Sequence, residues 1–246
     1  MNAIIAEQLL DLNRRFYTEY GRDFSATRGR LQPGVMRIVE SLRGDEAILD
    51  LGCGNGELAR TLSRRGQQGS YLGLDFSLSL LAEAGRAAFT FPVQFLQSDL
   101  ASPNWPAVIA NERREIGFDR VFAFAVLHHI PSIELRLEIL QKIREQLKPE
   151  GTFILSNWQF LNSPRLKARI QPWGSIGLKE TEVDANDYLL DWKRGGHALR
   201  YVHHFDESEL ADLAKSASFE IIETFYSDGE NQRLSLYQTW KAIKEM

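Results

Sequence analysis

The chain has 246 residues, of which 43% are apolar and 25% are charged, and its formal net charge is −4. This composition is typical of a folded globular protein and excludes a disordered one. No stretch approaches the ~20 consecutive apolar residues that a membrane span requires. The N-terminus reaches Glu7 without a cationic leader, so we expect a cytoplasmic protein that contacts no membrane. The single cysteine, Cys53, excludes an intramolecular disulfide, and no cysteine or histidine spacing indicates a metal site.

Short apolar strands alternate with helical patterns along the first two thirds of the chain. This alternation predicts right-handed crossovers and a parallel sheet with helices on both faces. The predicted elements are helices at 4–20 and 33–42, a strand at 47–52, a helix at 56–65, a strand at 70–76, a helix at 77–88, a strand at 93–99, a helix at 108–115, a strand at 118–124, a helix at 132–147 and a strand at 151–158.

The end of the chain follows a different pattern. Asp206 and Glu209 form a capping-box pattern that opens a helix predicted over 206–217. Strands predicted at 219–226 and 234–242 are separated by a short connection, which favours an antiparallel pair. Residues 159–200 contain several prolines and glycines and fit no sheet element, and long insertions of this kind are usually functional. We expect one domain over 1–246, in which the helices of 1–44 and the insertion 159–200 cap the substrate side.

A glycine-rich turn connects the first predicted strand to its helix. It reads Asp50-Leu51-Gly52-Cys53-Gly54-Asn55-Gly56, and glycines there permit positive φ and let a ligand approach the backbone. Asp75 ends the next strand, where doubly wound folds place an acid that accepts hydrogen bonds from a ribose diol. Dinucleotide dehydrogenases and S-adenosylmethionine (SAM) enzymes both use such an acid, but the dehydrogenase spacing is G-x-G-x-x-G.

The chain resembles the class I SAM-dependent methyltransferases, whose first motif is an acidic residue followed by G-x-G-x-G. Four later segments agree with that family in the same order. They are Leu72-Gly73-Leu74-Asp75-Phe76-Ser77, Gln97-Ser98-Asp99-Leu100, the segment 118–129, and Leu147-Lys148-Pro149-Glu150-Gly151-Thr152-Phe153. The resemblance covers about residues 30–160. It implies an α/β fold with a seven-stranded, Rossmann-like, doubly wound sheet whose last strand is antiparallel.

The resemblance also implies SAM as the cofactor and assigns the residues that bind it. The glycine turn would contact the methionine portion, Asp75 the ribose, and Asp99 with the Leu100 amide the adenine edge, while Asp50 is expected to be partly structural. The full expected cofactor set is Asp50, Gly52, Cys53, Gly54, Gly56, Asp75, Phe76, Ser77, Asp99, Leu100 and Ala123.

The flanks of this core are similar to the eukaryotic tRNA wobble-uridine carboxymethyl methyltransferases. The similarity lies in 187–193, in 200–205, in Glu209-Leu210 and in 24–28, and the chain departs from that family at Asp191 and Val202. It implies tRNA as a partner, with Arg200, His203 and Arg28 orienting the acceptor carboxylate. Residues 159–200 carry seven Lys and Arg against five acids, and 13–43 carry seven Arg against three acids, which allows a few phosphate contacts.

Two other functions stay open at this stage: a methyltransferase for a small metabolite, and a SAM-fold binding protein without catalysis. His128 and His129 follow one predicted strand and Trp158 ends the next, at the ligand-binding edge, where they either pack or line the pocket. The residues do not specify the methylated atom, the use of a general base, the oligomeric state or the need for an activating protein.

Overall fold

The computed structural model describes residues 1–26, 29–112, 117–193 and 196–243. Its helices are α1 (Ala3–Ala26), α2 (Pro33–Glu40), α3 (Glu57–Arg64), α4 (Leu78–Ala84), α5 (Trp105–Glu112), α6 (Ile133–Gln146), α7 (Pro164–Lys167) and α8 (Glu207–Ser216). Its strands are β1 (Ala47–Leu51), β2 (Ser70–Asp75), β3 (Val93–Gln97), β4 (Phe118–Phe124), β5 (Leu147–Trp158), β6 (Ile170–Gln171), β7 (Asp187–Trp192), β8 (Ala198–His203), β9 (Phe219–Ser227) and β10 (Ser235–Ala242).

The main sheet has seven strands in the order β3-β2-β1-β4-β5-β10-β9. Strands β1 to β5 run parallel, whereas β10 is antiparallel to both β5 and β9. This arrangement confirms the predicted fold, including the antiparallel pair at the end of the chain. The order reverses at β1 and β4, and ligands in open α/β sheets bind at the carboxyl ends of the strands beside such a reversal.

Both faces of the sheet are buried, as expected of parallel strands covered by helices. Leu49 and Leu51 of β1 pack into one core cluster, and Ile48 packs into a second cluster on the opposite face. Because successive side chains of a strand alternate between faces, the apolar run of β1 supplies both clusters.

Several element boundaries differ from the sequence prediction for identifiable reasons. Helix α5 begins at Trp105, whose side chain is buried in the core, rather than at residue 108. Strand β5 begins at Leu147 rather than at residue 151, because Leu147 pairs with Phe118 of β4. Helix α4 ends at Ala84, before the predicted residue 88, with Gly85 at its C-cap.

The expectation that residues 159–200 contain no sheet element is wrong. Strands β6, β7 and β8 form a separate three-stranded antiparallel sheet. Its central strand buries Leu189 with Ile5 and Leu9 of α1 on one face, and Leu190 with a second cluster on the other. The prolines and glycines of the insertion lie outside β7 and β8. The composition of the whole insertion therefore suggested a loop, although these two shorter segments form strands.

Within the described residues, none of the helices combines the length and apolar character needed to cross a membrane.

Candidate active site

A cavity of about 330 Å³ lies at the carboxyl ends of β1, β2, β4 and β5. The chain segments that leave these strands supply much of its wall, and helix α1 contributes Leu10, Asn13, Arg14 and Tyr17. Arg200 of β8 reaches the cavity from the smaller sheet. The cavity therefore occupies the ligand-binding edge that the sheet topology indicates.

The three glycines of the turn after β1 all have positive φ, of 71° at Gly52, 56° at Gly54 and 78° at Gly56. A Cβ atom on Gly52 would lie 2.6 Å from a methyl group of Val126, and one on Gly56 would lie 2.8 Å from the Cβ of Ala84. No heavy atom outside the immediate chain neighbours lies within 4 Å of a Cβ built on Gly54. Gly52 and Gly56 are therefore required by close packing, whereas Gly54 leaves backbone open to a ligand.

Asp75 links this turn to the loop that follows β2. Its two carboxylate oxygens accept hydrogen bonds from the backbone amides of Gly54, at 2.9 Å, and Ser77, at 2.8 Å. Burial raises the pKa of Asp75, and these backbone hydrogen bonds oppose that shift. A carboxylate has about four acceptor positions, so Asp75 retains capacity for ligand hydroxyls in the cavity that it lines.

Asp50 is a second buried acid in the cavity wall. Its carboxyl group accepts a hydrogen bond from the hydroxyl of Tyr71. Burial raises the pKa of Asp50 to about 7, the hydrogen bond from Tyr71 opposes this shift, and the charge of Asp75 adds to it. A cation bound nearby would favour the ionised form of Asp50.

Asp99 lies at the third strand end and forms an ion pair that the sequence did not reveal. One of its carboxylate oxygens accepts hydrogen bonds from Nε and Nη2 of Arg14, both at 2.8 Å, and the other accepts one from the amide of Ala101. Arg14 also contacts Glu7 and Asp11 on its own helix. The ion pair thus connects helix α1 to Asp99, the residue predicted to bind the adenine edge of the cofactor.

Most, but not all, of the predicted cofactor residues line the cavity. Gly56, Ser77 and Ala123 do not line it: Gly56 and Ser77 are helix N-caps, and Ala123 is buried in the core. The residues next to them in the chain, Asn55, Phe76 and Phe124, line the cavity. The predicted residues that do line it are Asp50, Gly52, Cys53, Gly54, Asp75, Phe76, Asp99 and Leu100, and the fourth strand contributes Phe124 and Ala125 in place of Ala123.

The wall of the cavity also holds a buried cation among aromatic rings, and we call this part of the cavity the acceptor end. The side chain of Arg200 is 5% exposed and lines the cavity. Its guanidinium carbon lies 4.8 Å from the ring centroid of Trp158, 5.4 Å from that of Phe16 and 5.9 Å from that of Trp192. Aromatic faces attract a guanidinium, so these three rings hold the Arg200 side chain in place.

The structure separates His203 from Arg200, although the sequence grouped them. The two residues are three positions apart on β8 and therefore lie on opposite faces of the strand. The Nδ1 atom of His203 lies 2.7 Å from Asp187, and its Nε2 atom lies 2.8 Å from Glu209. This buried network does not line the cavity, so it argues against the expected contact of His203 with an acceptor. Arg28, the third predicted catalytic residue, lies outside the described residues.

Helix α1 carries further cavity residues that the sequence analysis missed. The side-chain amide of Asn13 pairs with the backbone N–H and C=O of Tyr201, at 2.8 and 3.1 Å, and also donates to the carbonyl of His129. The hydroxyl of Tyr17 lies 2.8 Å from Nε2 of His129. Asn13 and Tyr17 are four residues apart on one helix face, and polar groups on a face otherwise rich in apolar residues were the available signal.

His128 and His129 both line the cavity, and contacts with the chain hold each ring. The Nδ1 atom of His128 accepts from the amide of Trp158 at 3.3 Å, and Nδ1 of His129 lies 3.2 Å from the carbonyl of Tyr201. Across the described ranges, no group of three or more His, Cys, Asp or Glu side chains is arranged to hold a metal ion.

Comparison with known proteins identifies the family. Residues 24–224 match the family model described as a methyltransferase domain, which covers more than half of the chain. The chain belongs to this family and is a class I SAM-dependent methyltransferase. SAM is its cofactor.

Relatives in the family differ in the acceptor that their names state. The chain is 30% identical over 187 residues to the tRNA (carboxymethyluridine(34)-5-O)-methyltransferase of Arabidopsis thaliana, which covers 75% of this chain and 39% of that longer protein. It is 32% identical over 205 residues to the trans-aconitate 2-methyltransferase of Pseudomonas paraeruginosa, which covers 65% of this chain and 70% of that one. A protein of Encephalitozoon cuniculi, to which methyltransferase function is ascribed, is 29% identical over 85% of this chain and 87% of its own length.

Solved structures share the fold. A SAM-dependent methyltransferase from Methanosarcina mazei superposes with a TM-score of 0.65 at 21% identity, over 87% of this chain and 99% of that one. The DhpI–SAM–HEP complex superposes with a TM-score of 0.67 at 19% identity, over 95% of this chain and 97% of that one.

Proposed function

We propose that this methyltransferase esterifies a carboxylate, and that its acceptor is the carboxymethyl group of a wobble uridine in tRNA. The observation that carries the proposal is Arg200, a buried cation that lines the same cavity as the expected cofactor residues. A guanidinium in the cavity wall attracts an anionic acceptor and forms charge-assisted hydrogen bonds with it.

The residues present fit the cofactor. Gly54 offers open backbone to the methionine portion, while the Asp75 carboxylate would accept from the ribose hydroxyls and Asp99 would contact the adenine edge. When bound, SAM supplies a methyl group activated by its sulfonium. The protein then has to align the acceptor with that methyl group and exclude water.

A carboxylate acceptor explains why the cavity needs a cation more than a base. A carboxyl group with an ordinary pKa near ~4 is already ionised at pH 7, so no proton has to be removed. Arg200 would hold the carboxylate through the two parallel N–H donors of its guanidinium, which fixes both position and plane. The flanking aromatic rings of Phe16, Trp158 and Trp192 would keep that guanidinium from rotating.

The names of the relatives support this acceptor class. Carboxymethyluridine and trans-aconitate are both carboxylic acids, and the chain is similar to methyltransferases named for each. The tRNA acceptor is favoured because that relative covers more of this chain and because the resemblance extends into the flanks, where Arg200 lies. A tRNA acceptor would also agree with the cytoplasmic location expected from the sequence.

A small carboxylic acid is the second candidate acceptor. It is favoured by the match to trans-aconitate 2-methyltransferase and by the enclosure of Arg200, which is 95% buried. A compact acid would reach this position without the splayed-out base that an RNA acceptor must present.

The test is a comparison of acceptors with labelled SAM. One tRNA carries carboxymethyluridine at the wobble position, a second of the same sequence carries unmodified uridine there, and a third reaction contains trans-aconitate. We expect label only in the first tRNA, with the nucleoside identified by mass spectrometry after digestion. Label in trans-aconitate alone would replace the tRNA acceptor by the small acid, and label in both tRNAs would contradict carboxylate esterification.

A further inference from the structure

A group of cationic side chains lies next to the acceptor end of the cavity and takes no part in the site described above. We define the cationic rim as Arg165, Lys167, Arg169 and Arg233. Arg165, Lys167 and Arg233 are exposed, and Arg169 is half-buried. In the part of the chain that the structure describes, no ion pair involves any of the four.

A small apolar core holds the rim beside the cavity. Leu166, between Arg165 and Lys167, packs in one cluster with Phe160, and Trp158 and Leu234 pack against that cluster. Trp158 and Leu234 both line the cavity. Because the cluster connects α7 to these wall residues, the backbone that carries Arg165 and Lys167 is held beside the cavity wall.

Backbone pairing fixes the segment that follows α7 relative to Arg200. Ile170 pairs with Leu190, and Leu190 pairs with Arg200, so one row of the smaller sheet leads from the neighbour of Arg169 to the proposed acceptor ligand. The amide of Asp191 also donates to the carbonyl of Arg169 at 3.1 Å.

Arg233 joins the rim from the other side. The side-chain amide of Asn162 donates to the carbonyl of Arg233 at 2.9 Å, which connects the segment before α7 to the segment before β10. The guanidinium carbon of Arg233 lies 4.3 Å from the ring centroid of Tyr226, so the aromatic face supports the cation.

The charges around the rim leave it positive. Asp191 is already paired with Lys193 at 3.0 Å, and Asp228 is buried between Gly34 and Tyr237. Two exposed acids lie on the side of Arg233, fewer than the four cations: Glu230 is three residues before it, and Glu207 accepts a hydrogen bond from the hydroxyl of Tyr226 at 2.9 Å. Three exposed cations elsewhere on the surface are, by contrast, paired with acids: Arg37 with Glu223, Arg64 with Glu57 and Lys241 with Glu150.

We propose that the cationic rim binds the phosphate backbone of the RNA whose base enters the cavity. This inference rests on the proposed tRNA acceptor and deepens it by naming the surface that holds the RNA outside the catalytic cavity. Guanidinium groups match phosphate oxygens in a bidentate geometry, and each phosphate contact releases condensed counterions. The rim would therefore provide affinity for RNA, while Arg200 provides selection of the carboxylate.

The test replaces three rim cations by glutamine, which removes the charge and keeps a polar side chain. The variant is Arg165→Gln/Lys167→Gln/Arg169→Gln, and its matched control is Arg65→Gln/Arg86→Gln/Lys215→Gln, which removes the same charge from exposed positions on other elements. Binding of tRNA is measured over a range of salt concentrations. Steady-state methylation is measured with tRNA and with the free nucleoside 5-carboxymethyluridine.

For the rim variant we expect the KM for tRNA to rise roughly tenfold. The slope of log affinity against log salt concentration should become less negative by about 2 to 3, because each of the three lost phosphate contacts contributes ~0.7 to 0.9 to that slope. The kcat with saturating tRNA and the kcat/KM for the nucleoside should stay within about twofold of wild type, as should all values of the control variant. If the rim variant had the KM and the salt slope of the wild type, the proposal that the cationic rim binds RNA would be overturned, whereas the proposed tRNA acceptor would stand. Absence of methyl transfer to any RNA by the wild-type protein would overturn the proposed acceptor and the rim with it.

Discussion

Replacement of Arg200 by methionine separates acceptor recognition from cofactor binding. Methionine keeps an unbranched apolar side chain among Phe16, Trp158 and Trp192 but removes the guanidinium. The expected cofactor residues lie on other strands, at the ends of β1, β2 and β3. We therefore expect Arg200→Met to bind SAM as the wild type does and to lose methyl transfer.

The size of the loss follows from the contact that disappears. A hydrogen bond to a charged group contributes about 1.5 to 3 kcal/mol, and a bidentate guanidinium–carboxylate pair makes two of them. With Arg200 almost fully buried, solvent screens the pair weakly. A loss of about 3 kcal/mol corresponds to roughly a hundredfold fall in kcat/KM for the acceptor.

The assay is the initial rate of methyl transfer over a range of acceptor concentrations, with SAM affinity measured in parallel by calorimetry. Arg200→Lys is the matched control, because it keeps the charge and loses the planar pair of donors. We expect its kcat/KM to lie between those of the wild type and of Arg200→Met. If Arg200→Met kept wild-type kcat/KM, Arg200 would not contact the acceptor and the proposed orientation would be refuted.

Three further predictions concern packing, proton binding and the buried histidine. Gly56→Ala should lower the free energy of unfolding by about 2 kcal/mol in urea titrations, because φ is positive at this position and the new Cβ would collide with Ala84. Gly54→Ala should be more stable than Gly56→Ala, because no atom lies near its new Cβ, but it should bind SAM more weakly in calorimetry. Asp50, with a pKa raised to about 7, should make SAM affinity rise with pH and level off above about 7, and the Asp50→Asn variant should show a flat profile between about pH 6 and pH 8. His203→Leu should lower the free energy of unfolding by about 2 kcal/mol in urea titrations, since Asp187 and Glu209 each lose one hydrogen-bond partner and keep their contacts with Arg136; a direct catalytic role would require loss of activity in protein that remains folded.

The sequence predicted the main sheet well because strands that are buried on both faces have continuous runs of apolar residues. Strand β4 was predicted at 118–124 and occupies Phe118–Phe124, since its apolar residues fill both faces of a parallel sheet. The smaller sheet was missed because only two of its strands are long and because Pro164, Pro172 and several glycines precede them. Local composition suggested a loop, whereas contacts with α1, about 180 residues away in the chain, stabilise β7 and β8.

The cofactor end of the cavity was predictable because its glycines and acids lie within motifs at strand ends. The residues of the acceptor end are brought together by contacts between segments that are far apart in the chain. The spacing of residues within one segment does not predict such contacts. Asn13 and Tyr17 reach the cavity only because α1 packs against β8. The resemblance of the flanks grouped His203 with Arg200, but the alternation of a strand places them on opposite faces.

The chemistry of the methylated product tests the central claim most directly. The tRNA with carboxymethyluridine is methylated with SAM labelled in the methyl group, purified, and treated with mild alkali. A methyl ester of the carboxylate is cleaved under these conditions, so we expect the label to be released as methanol, and Arg200→Met to form it at roughly a hundredth of the wild-type rate at low acceptor concentration. Label that stays on the nucleoside through alkali would show methylation of a nitrogen, a carbon or a sugar hydroxyl, and would contradict a carboxylate held by Arg200.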